Sequence, residues 1–374
     1  MFLKVSSKKW RKHLETKTIK KHPLKKIGHF LNRFKWWLLS LLVVFIIFSL
    51  FVPLPYYMEA PGGAYDIRSV LTVGKDEDKE KGSYNFVAVT VSRATLAQII
   101  YAWATPFTEI ISAEEMTGGT SDEDYLRIND YYMQSSQNTA TYQALQLAGE
   151  KAKLDYKGVY VLSISEDSTF KDSLHIADTV TGVNDKTFSS SKELIAYVSS
   201  LKLGSKVTVQ YTSDDKKKEA QGKIIKLENG KNGIGIGLVD HTEVDSDVNI
   251  DFSTEGVGGP SAGLMFTLDI YDQLVGTDLR KGRIIAGTGT IEADGSVGDI
   301  GGAGLKVVSA AESGAEIFFV PNNPVDEATL KANSDAQTNY QEALAAAKKI
   351  GTKMKIVPVT TVQEAIDYLK KTGN

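Results

Sequence analysis

The chain's 374 residues are enough for two folded domains, and the absence of cysteine excludes disulfides, thiolate metal sites and cysteine nucleophiles. The net charge of −3 conceals an asymmetry. Residues 1–35 hold twelve Lys or Arg against Glu15 alone, a charge of +11, while the remainder holds 31 basic and 45 acidic residues, a charge of −14. A basic tail of this kind can hold nucleic acid. Here it abuts an apolar run, so membrane orientation and contact with anionic lipid are the simpler reading, and no nucleic-acid partner is expected. The run at 36–52 is free of charge and, with Phe34 behind it and Leu54 ahead, approaches the roughly 20 residues that cross a bilayer. It is longer than a signal-peptide core, and no Ala-x-Ala follows it. The pairs Trp36-Trp37 and Tyr56-Tyr57 stand where interfacial aromatic belts belong. The expectation is a cytoplasmic arm at 1–35, a transmembrane anchor at 36–57 contacting the lipid bilayer, and everything beyond it outside the cell.

Past the anchor, 58–65 is Gly- and Pro-rich and reads as a link, and 75–82 reads as a charged, solvated hairpin tip. The alternating, β-branched stretch at 86–91 predicts a strand, and 94–104 predicts a helix. A polar turn at 117–124 precedes a second predicted helix at 125–152, with Met133, Ala140, Ala144 and Leu147 among its apolar positions. A compact unit comes next over 157–228: a strand at 158–164, a strand and turn at 178–186, a helix at 191–201 and a strand at 206–212. That order, with Ala177-Asp178 and Val183-Asn184, resembles a PDZ domain. It departs from the pattern at Asp185-Lys186, where Gly is common, and at Leu174-His175-Ile176-Ala177. If the unit takes a peptide, the resemblance places it beside 159–163 by strand addition. The final part, 233–374, opens on strands at 234–239 and 248–252. It then predicts a helix after Gly263, a strand at 284–288, a helix at 304–313 and alternating strands and helices at 316–320, 340–350, 355–359 and 362–371. The class is α+β, with α/β layers in the last part.

The chemistry concentrates in Gly-Gly-Pro-Ser-Ala-Gly at 258–263. A serine after Gly-Gly-Pro has a fixed backbone, and its hydroxyl sits at the start of an apolar helix, where free N–H groups favour developing negative charge. Gly259, Pro260 and Ala262 around Ser261 are therefore candidates for the substrate or oxyanion site. A serine needs a base. The segment Ile300-Gly301-Gly302-Ala303-Gly304-Leu305-Lys306 supplies one, because Ser309, Ala310 and Ser313 share a helical face with Lys306 and none is acidic. Such surroundings lower a lysine pKa. Beyond the anchor the only histidines are His175 and His241, and Asp240-His241-Thr242-Glu243 reads as a solvated loop, so nothing supports a Ser–His–Asp triad.

Gly259-Pro260-Ser261-Ala262-Gly263, Thr288-Gly289-Thr290-Ile291 and Ile300-Gly301-Gly302 with Lys306 resemble the proteolytic domain of Lon-type Ser–Lys proteases, and 133–140 resembles its early helix. With the anchor, Pro61-Gly62-Gly63-Ala64-Tyr65 and the PDZ-like insert, the whole resembles the membrane-anchored Lon-like PDZ proteases of Gram-positive bacteria. The resemblance implies a protease domain split into 58–152 and 232–374 around a PDZ-like insert at 153–231. Ser261 would be the nucleophile, Lys306 the general base and Thr288 the residue that orients the lysine. Thr290 stands where ATP-dependent relatives have Glu, and Val257-Gly258 where they have Lys-Asp. With no Gly-x-x-x-x-Gly-Lys-Ser/Thr in the chain, the expectation is an ATP-independent serine endopeptidase at the outer cell surface, without cofactor or metal. Its substrates would be secreted or membrane-associated peptides and proteins, signalling pheromones included, paired with a strand at 248–252. A catalytically silent PDZ-bearing adaptor and a cell-wall amidase or esterase are the alternatives. Related domains form rings, so a homo-oligomer and a monomer both remain open.

Overall fold

The computed structural model describes residues 23–75, 77–227 and 229–373, with side chains from residue 34 onward. Most of the basic arm thus lies outside the described residues. The first element is α1 (Pro23–Phe51), in which Phe34–Phe51 has a mean hydropathy of 2.2 and is only 6% buried. Among the described residues it is the one helix long and apolar enough to cross a membrane.

The chain just beyond α1 departs from two expectations. The helix stops at Phe51, and the proposed link is no link: 53–66 is strand β1 (Pro53–Asp66), separated from α1 by Val52 alone. Of the Tyr56-Tyr57 pair only Tyr56 is exposed, and Tyr57 takes no part in an aromatic belt. Tyr57 is 5% exposed, donates from its hydroxyl to Asp122 Oδ1 (2.6 Å) and lies under the Arg93 guanidinium at 4.5 Å. After β1 come β2 (Leu71–Val73), β3 (Ser83–Thr95), α2 (Leu96–Ala104), β4 (Glu109–Ser112), α3 (Ala113–Thr117) and α4 (Asp122–Ala148). Ser121 caps α4 at one end and Gly149, in the left-handed region, closes it at the other.

The second group of strands is β5 (Ala152–Ile164), β6 (Thr179–Val183), β7 (Lys206–Ser213), β8 (Lys216–Lys223), the short β9 (Ile225–Lys226) and β10 (Asn232–Gly233), and β11 (Ile236–Ser246), with helix α5 (Ser191–Ser200). Five of them form an antiparallel sheet, in the order β11-β5-β6-β7-β8, around Val159, Val161, Val180, Leu194, Val198 and Val209. The sheet extends beyond the expected boundary at 231, because β11 pairs with β5 along its length. The position expected for strand addition, 159–163, is flanked by β11 on one side, and its first three residues are flanked by β6 and Asp178 on the other. The strands at the two ends of this sheet are β11 and β8.

The remainder runs β12 (Ile250–Phe252), α6 (Gly263–Val275), β13 (Ile284–Gly287), β14 (Thr290–Ile291), β15 (Val297–Gly298), α7 (Ala303–Glu312), β16 (Ile317–Pro321), α8 (Glu327–Ala332), α9 (Asn339–Ile350), β17 (Lys355–Val359) and α10 (Val362–Thr372). Strands from both ends of the chain share one six-stranded sheet, β17-β16-β13-β3-β1-β4. It is parallel from β17 to β3 and antiparallel from β3 to β4. The period-2 alternation of its strands sorts two cores. Ile285, Ile317 and Phe319 face a layer containing α4, α6 and α10, while Ala286, Phe318 and Val320 face α7 and α9. The charged loop at 75–82 is not simply solvated either, since Asp78 is buried against Arg280, just beyond α6.

Candidate active site

Helices α6 and α7 lie on opposite faces of the sheet, yet their N-termini converge at the carboxyl end of β13, the edge where open α/β sheets place their ligands. Ser261 sits two residues before α6, and Thr288 directly follows β13. The serine's carbonyl accepts from Gly289 N–H (2.8 Å) and the Thr288 hydroxyl (3.2 Å), so its backbone is held from behind. Gly259, at φ +87, makes the turn into the loop. Helix α4 braces the same loop: the Ser136 hydroxyl donates to Pro260 O (2.9 Å), and Gly259 N–H donates to Asn129 O (2.9 Å).

Lys306 lies in the first turns of α7, which Gly302 opens with a left-handed φ of +66. Its Nζ is 2.9 Å from Ser261 Oγ and 3.3 Å from Thr288 Oγ1. The lysine is 4% exposed, and burial lowers its pKa to about 8, with Glu59 and Glu342 pulling the other way. The face expected to be small and neutral is so locally: Ser309 is buried and accepts from Gly63 N–H (3.1 Å), tying α7 to the irregular segment of β1. The two carboxylates come from elsewhere. Glu59 is on β1, and its pKa is raised by burial and by Glu109. Glu342 is on α9 and accepts from Gly304 N–H (2.8 Å) at the start of α7. Sequence reasoning missed both, and no local pattern announces either one.

Ser261 opens onto a cavity of about 330 Å³ that Lys306 reaches from below, lined by Gly62, Tyr65, Phe86, Met133, Val257 and residues 87–91 of β3. β13 pairs with β3 only as far as Phe86, so on the cleft side 87–91 has no strand partner among the described residues. The strand expected to receive substrate, 248–252, does not line this cleft, and its β12 portion pairs with β2 instead. Of the expected oxyanion residues, Gly259 has its N–H engaged and Pro260 has none, which leaves Ala262. His241 is far from being a loop residue or a base. It lies in β11, stacks on Tyr160 at 4.0 Å and bonds Thr179 Oγ1 through Nδ1 (3.0 Å), and burial lowers its pKa. Tyr160 in turn stacks on Tyr131 of α4 at 4.2 Å, so this column docks the second sheet on the helix that braces Ser261.

The PDZ domain family matches residues 134–224. The chain carries a PDZ domain. The PDZ domain of the SdrC-like protein of Listeria monocytogenes is 40% identical over 23% of this chain and 93% of its own, with a TM-score of 0.22. The second domain of a Listeria innocua protein is 42% identical over 23% and 86%, with a TM-score of 0.21. Similarity to proteases is weaker. An archaeal Lon protease of Archaeoglobus fulgidus is 23% identical over 129 residues, and a Lon protease of Neorickettsia sennetsu is 27% identical over 110. These matches cover 34% and 29% of this chain but only 18% and 11% of those proteins, so the chain spans less than a fifth of the curated relatives it matches.

Replacing Thr288 by Val keeps the shape of this fully buried side chain and removes its hydroxyl. If the three side chains act together, kcat/KM for peptide cleavage falls about 10- to 100-fold, the equivalent of losing about 1.5–3 kcal/mol of hydrogen bonding to a charged or reacting group. Steady-state kinetics on the full chain checks this.

Proposed function

We propose that the chain is a membrane-anchored serine endopeptidase with a Ser261–Lys306 dyad, oriented by Thr288. The observation that carries the reading is the 2.9 Å separation of Nζ and Oγ in a buried site where the lysine pKa is lowered to about 8. Near neutral pH a usable fraction of Lys306 is the free amine, which can accept the Ser261 proton. Oγ then attacks the scissile carbonyl carbon, and the negative oxygen is received by the backbone N–H groups of Ser261 and Ala262. The C–N bond breaks as the Lys306 ammonium returns the proton to the leaving amine. Water, deprotonated by the same amine, releases the acyl group and restores the serine. An extended substrate adds along the open edge of 87–91. No step in this path calls for ATP. Helix α1 holds the enzyme to the membrane with its catalytic domain on the outer face, and the PDZ domain presents or gates secreted and membrane-associated peptides.

The test is cleavage of casein by the full chain in detergent micelles. Wild type cleaves, and Ser261→Ala and Lys306→Ala each abolish cleavage. Equal cleavage by all three removes the dyad, and peptide binding without cleavage by wild type favours the adaptor.

The pH profile derives from the same geometry. Because the neutral lysine is the active form, kcat/KM rises with pH and levels off above about 8. Glu59 raises the Lys306 pKa, so Glu59→Gln lowers it and moves the rising limb to more acid pH. An unmoved limb would show that the titrating group is not Lys306.

A further inference from the structure

Helix α2 buries none of its residues. Ile100, Tyr101 and Trp103 are 54, 57 and 84% exposed, and 96–108 carries no charge. A cluster of large apolar side chains of this kind normally has a partner. Its place in the fold identifies that partner. Thr95, the N-cap of α2, is the register partner of Pro53, the second residue beyond α1. The two helices therefore leave the same end of one antiparallel strand pair, and α2 packs beside α1. The start of α2 is fixed by the reciprocal Thr95–Gln98 capping box, and the chain returns into the domain where Phe107 lies under Lys349 at 4.6 Å. The exposed face is thus presented by a pinned element next to the anchor helix.

We propose that α2 is a second membrane contact, lying in the interface of the leaflet from which α1 emerges, with Ile100, Tyr101 and Trp103 immersed. The occupant of this face is phospholipid. Tryptophan and tyrosine prefer the headgroup level, and a helix with an uncharged apolar face settles about 5–10 Å into the boundary region. The inference rests on α1 being an anchor, and it adds orientation to attachment. One span leaves a domain free to tilt, whereas two contacts fix the axis of β1. The cleft at Gly62, ~9 residues or roughly 30 Å along that strand from Pro53, is then held at a set height above the lipid.

The absence of cysteine makes the test direct. Full chains carrying Val44→Cys in α1, Trp103→Cys in α2 or Lys217→Cys on the exposed strand β8 are labelled with an environment-sensitive fluorophore. They are reconstituted into phosphatidylcholine–phosphatidylglycerol vesicles containing, in parallel samples, lipid with a nitroxide near the headgroup end or near the methyl end of its acyl chain. The label at 44 by the deep nitroxide, and the label at 103 by the shallow one, are expected to be quenched at least ~2-fold more than the label at 217, as a span and an interfacial depth require. Quenching at 44 with a water-like signal at 103 overturns the proposal and leaves the anchor standing. No quenching at 44 removes the anchor and the proposal with it. A label at 103 that is shielded from water but not quenched by lipid means that protein, such as a second copy, covers α2, and this also overturns the proposal.

Discussion

Lys306→Met is expected to abolish peptide cleavage and, at pH 7, to leave the protein about 2–3 kcal/mol more stable than wild type. Methionine matches the length of the lysine stem, so the site stays filled. The gain comes from the charge. Burial pulls the Lys306 pKa from near 10.5 to about 8, and each unit corresponds to ~1.4 kcal/mol of preference for the neutral form. At neutral pH the folded wild type therefore holds an ammonium in an unfavourable place, at a cost of roughly 3 kcal/mol, less what its bonds to Ser261 and Thr288 return. The sign can be checked by titration. Between about 8 and 10.5 the unfolded chain binds the proton and the folded chain does not, so wild-type stability rises with pH and the advantage of the Met variant shrinks across that window. Thermal unfolding of the full chain in detergent at pH 7 and pH 10 measures both. A Met variant that is less stable at pH 7, with a gap indifferent to pH, would mean that Lys306 is an ordinary structural lysine.

The residues of this site were legible because each sits in a local pattern. Gly-Pro-Ser before an apolar run and Gly-Gly before Lys306 are short-range signals, and the structure brings the two within hydrogen-bonding distance. Three of the second sheet's five strands, β5, β6 and β7, were legible for a similar reason, since alternation marks them one by one. The features that escaped were non-local or locally contradictory. Strand β1 carries Pro53, Pro55, Pro61, Gly62 and Gly63, residues that local propensity assigns to a turn, yet it pairs on both sides within the main sheet. Its irregularity between Pro61 and Ala64 explains the composition, because a Cβ at Gly62 would meet the Val89 carbonyl carbon at 2.6 Å. Which strand borders the cleft was not legible, because 248–252 and 87–91 alternate equally well and only the fold brings 87–91 beside Ser261. His241 seemed solvated because its neighbours in sequence are polar, whereas its neighbours in space are Tyr160 and Thr179.

The run at 75–82 misled in the same way, and it leads to the second large effect. Arg280 and Asp78 are 202 residues apart, and their side chains are 2% and 4% exposed. The guanidinium donates to both Asp78 oxygens, one of them at 2.8 Å, and lies 5.5 Å from the Tyr84 ring. Asp272 completes the group, accepting from Tyr84 (3.1 Å) and from Leu279 N–H (2.9 Å), with Arg280 Nε 3.9 Å away. Arg280→Ala removes the cation from among these carboxylates and is expected to destabilise the protein by about 3–5 kcal/mol, the usual cost of stranding buried charge. Replacing both partners, Arg280→Met with Asp78→Leu, recovers part of that loss, because Asp78 is no longer stranded while Asp269 and Asp272 still lose their cation. Asp269 adds a pH signature. It is 1% exposed, and burial raises its pKa to about 7, opposed by Arg280. Its folded form therefore binds a proton that the unfolded chain has lost between the ordinary aspartate pKa and about 7, so its charged form burdens the fold only at higher pH. Without Arg280 that burden grows, and the deficit of the Ala variant is larger at pH 8 than at pH 5. Unfolding measured at both pH values separates this network from simple loss of packing, which would give the same deficit at each. A variant within about 1 kcal/mol of wild type at pH 8 would show that the Arg280–Asp78 pair does not hold this loop to the serine helix.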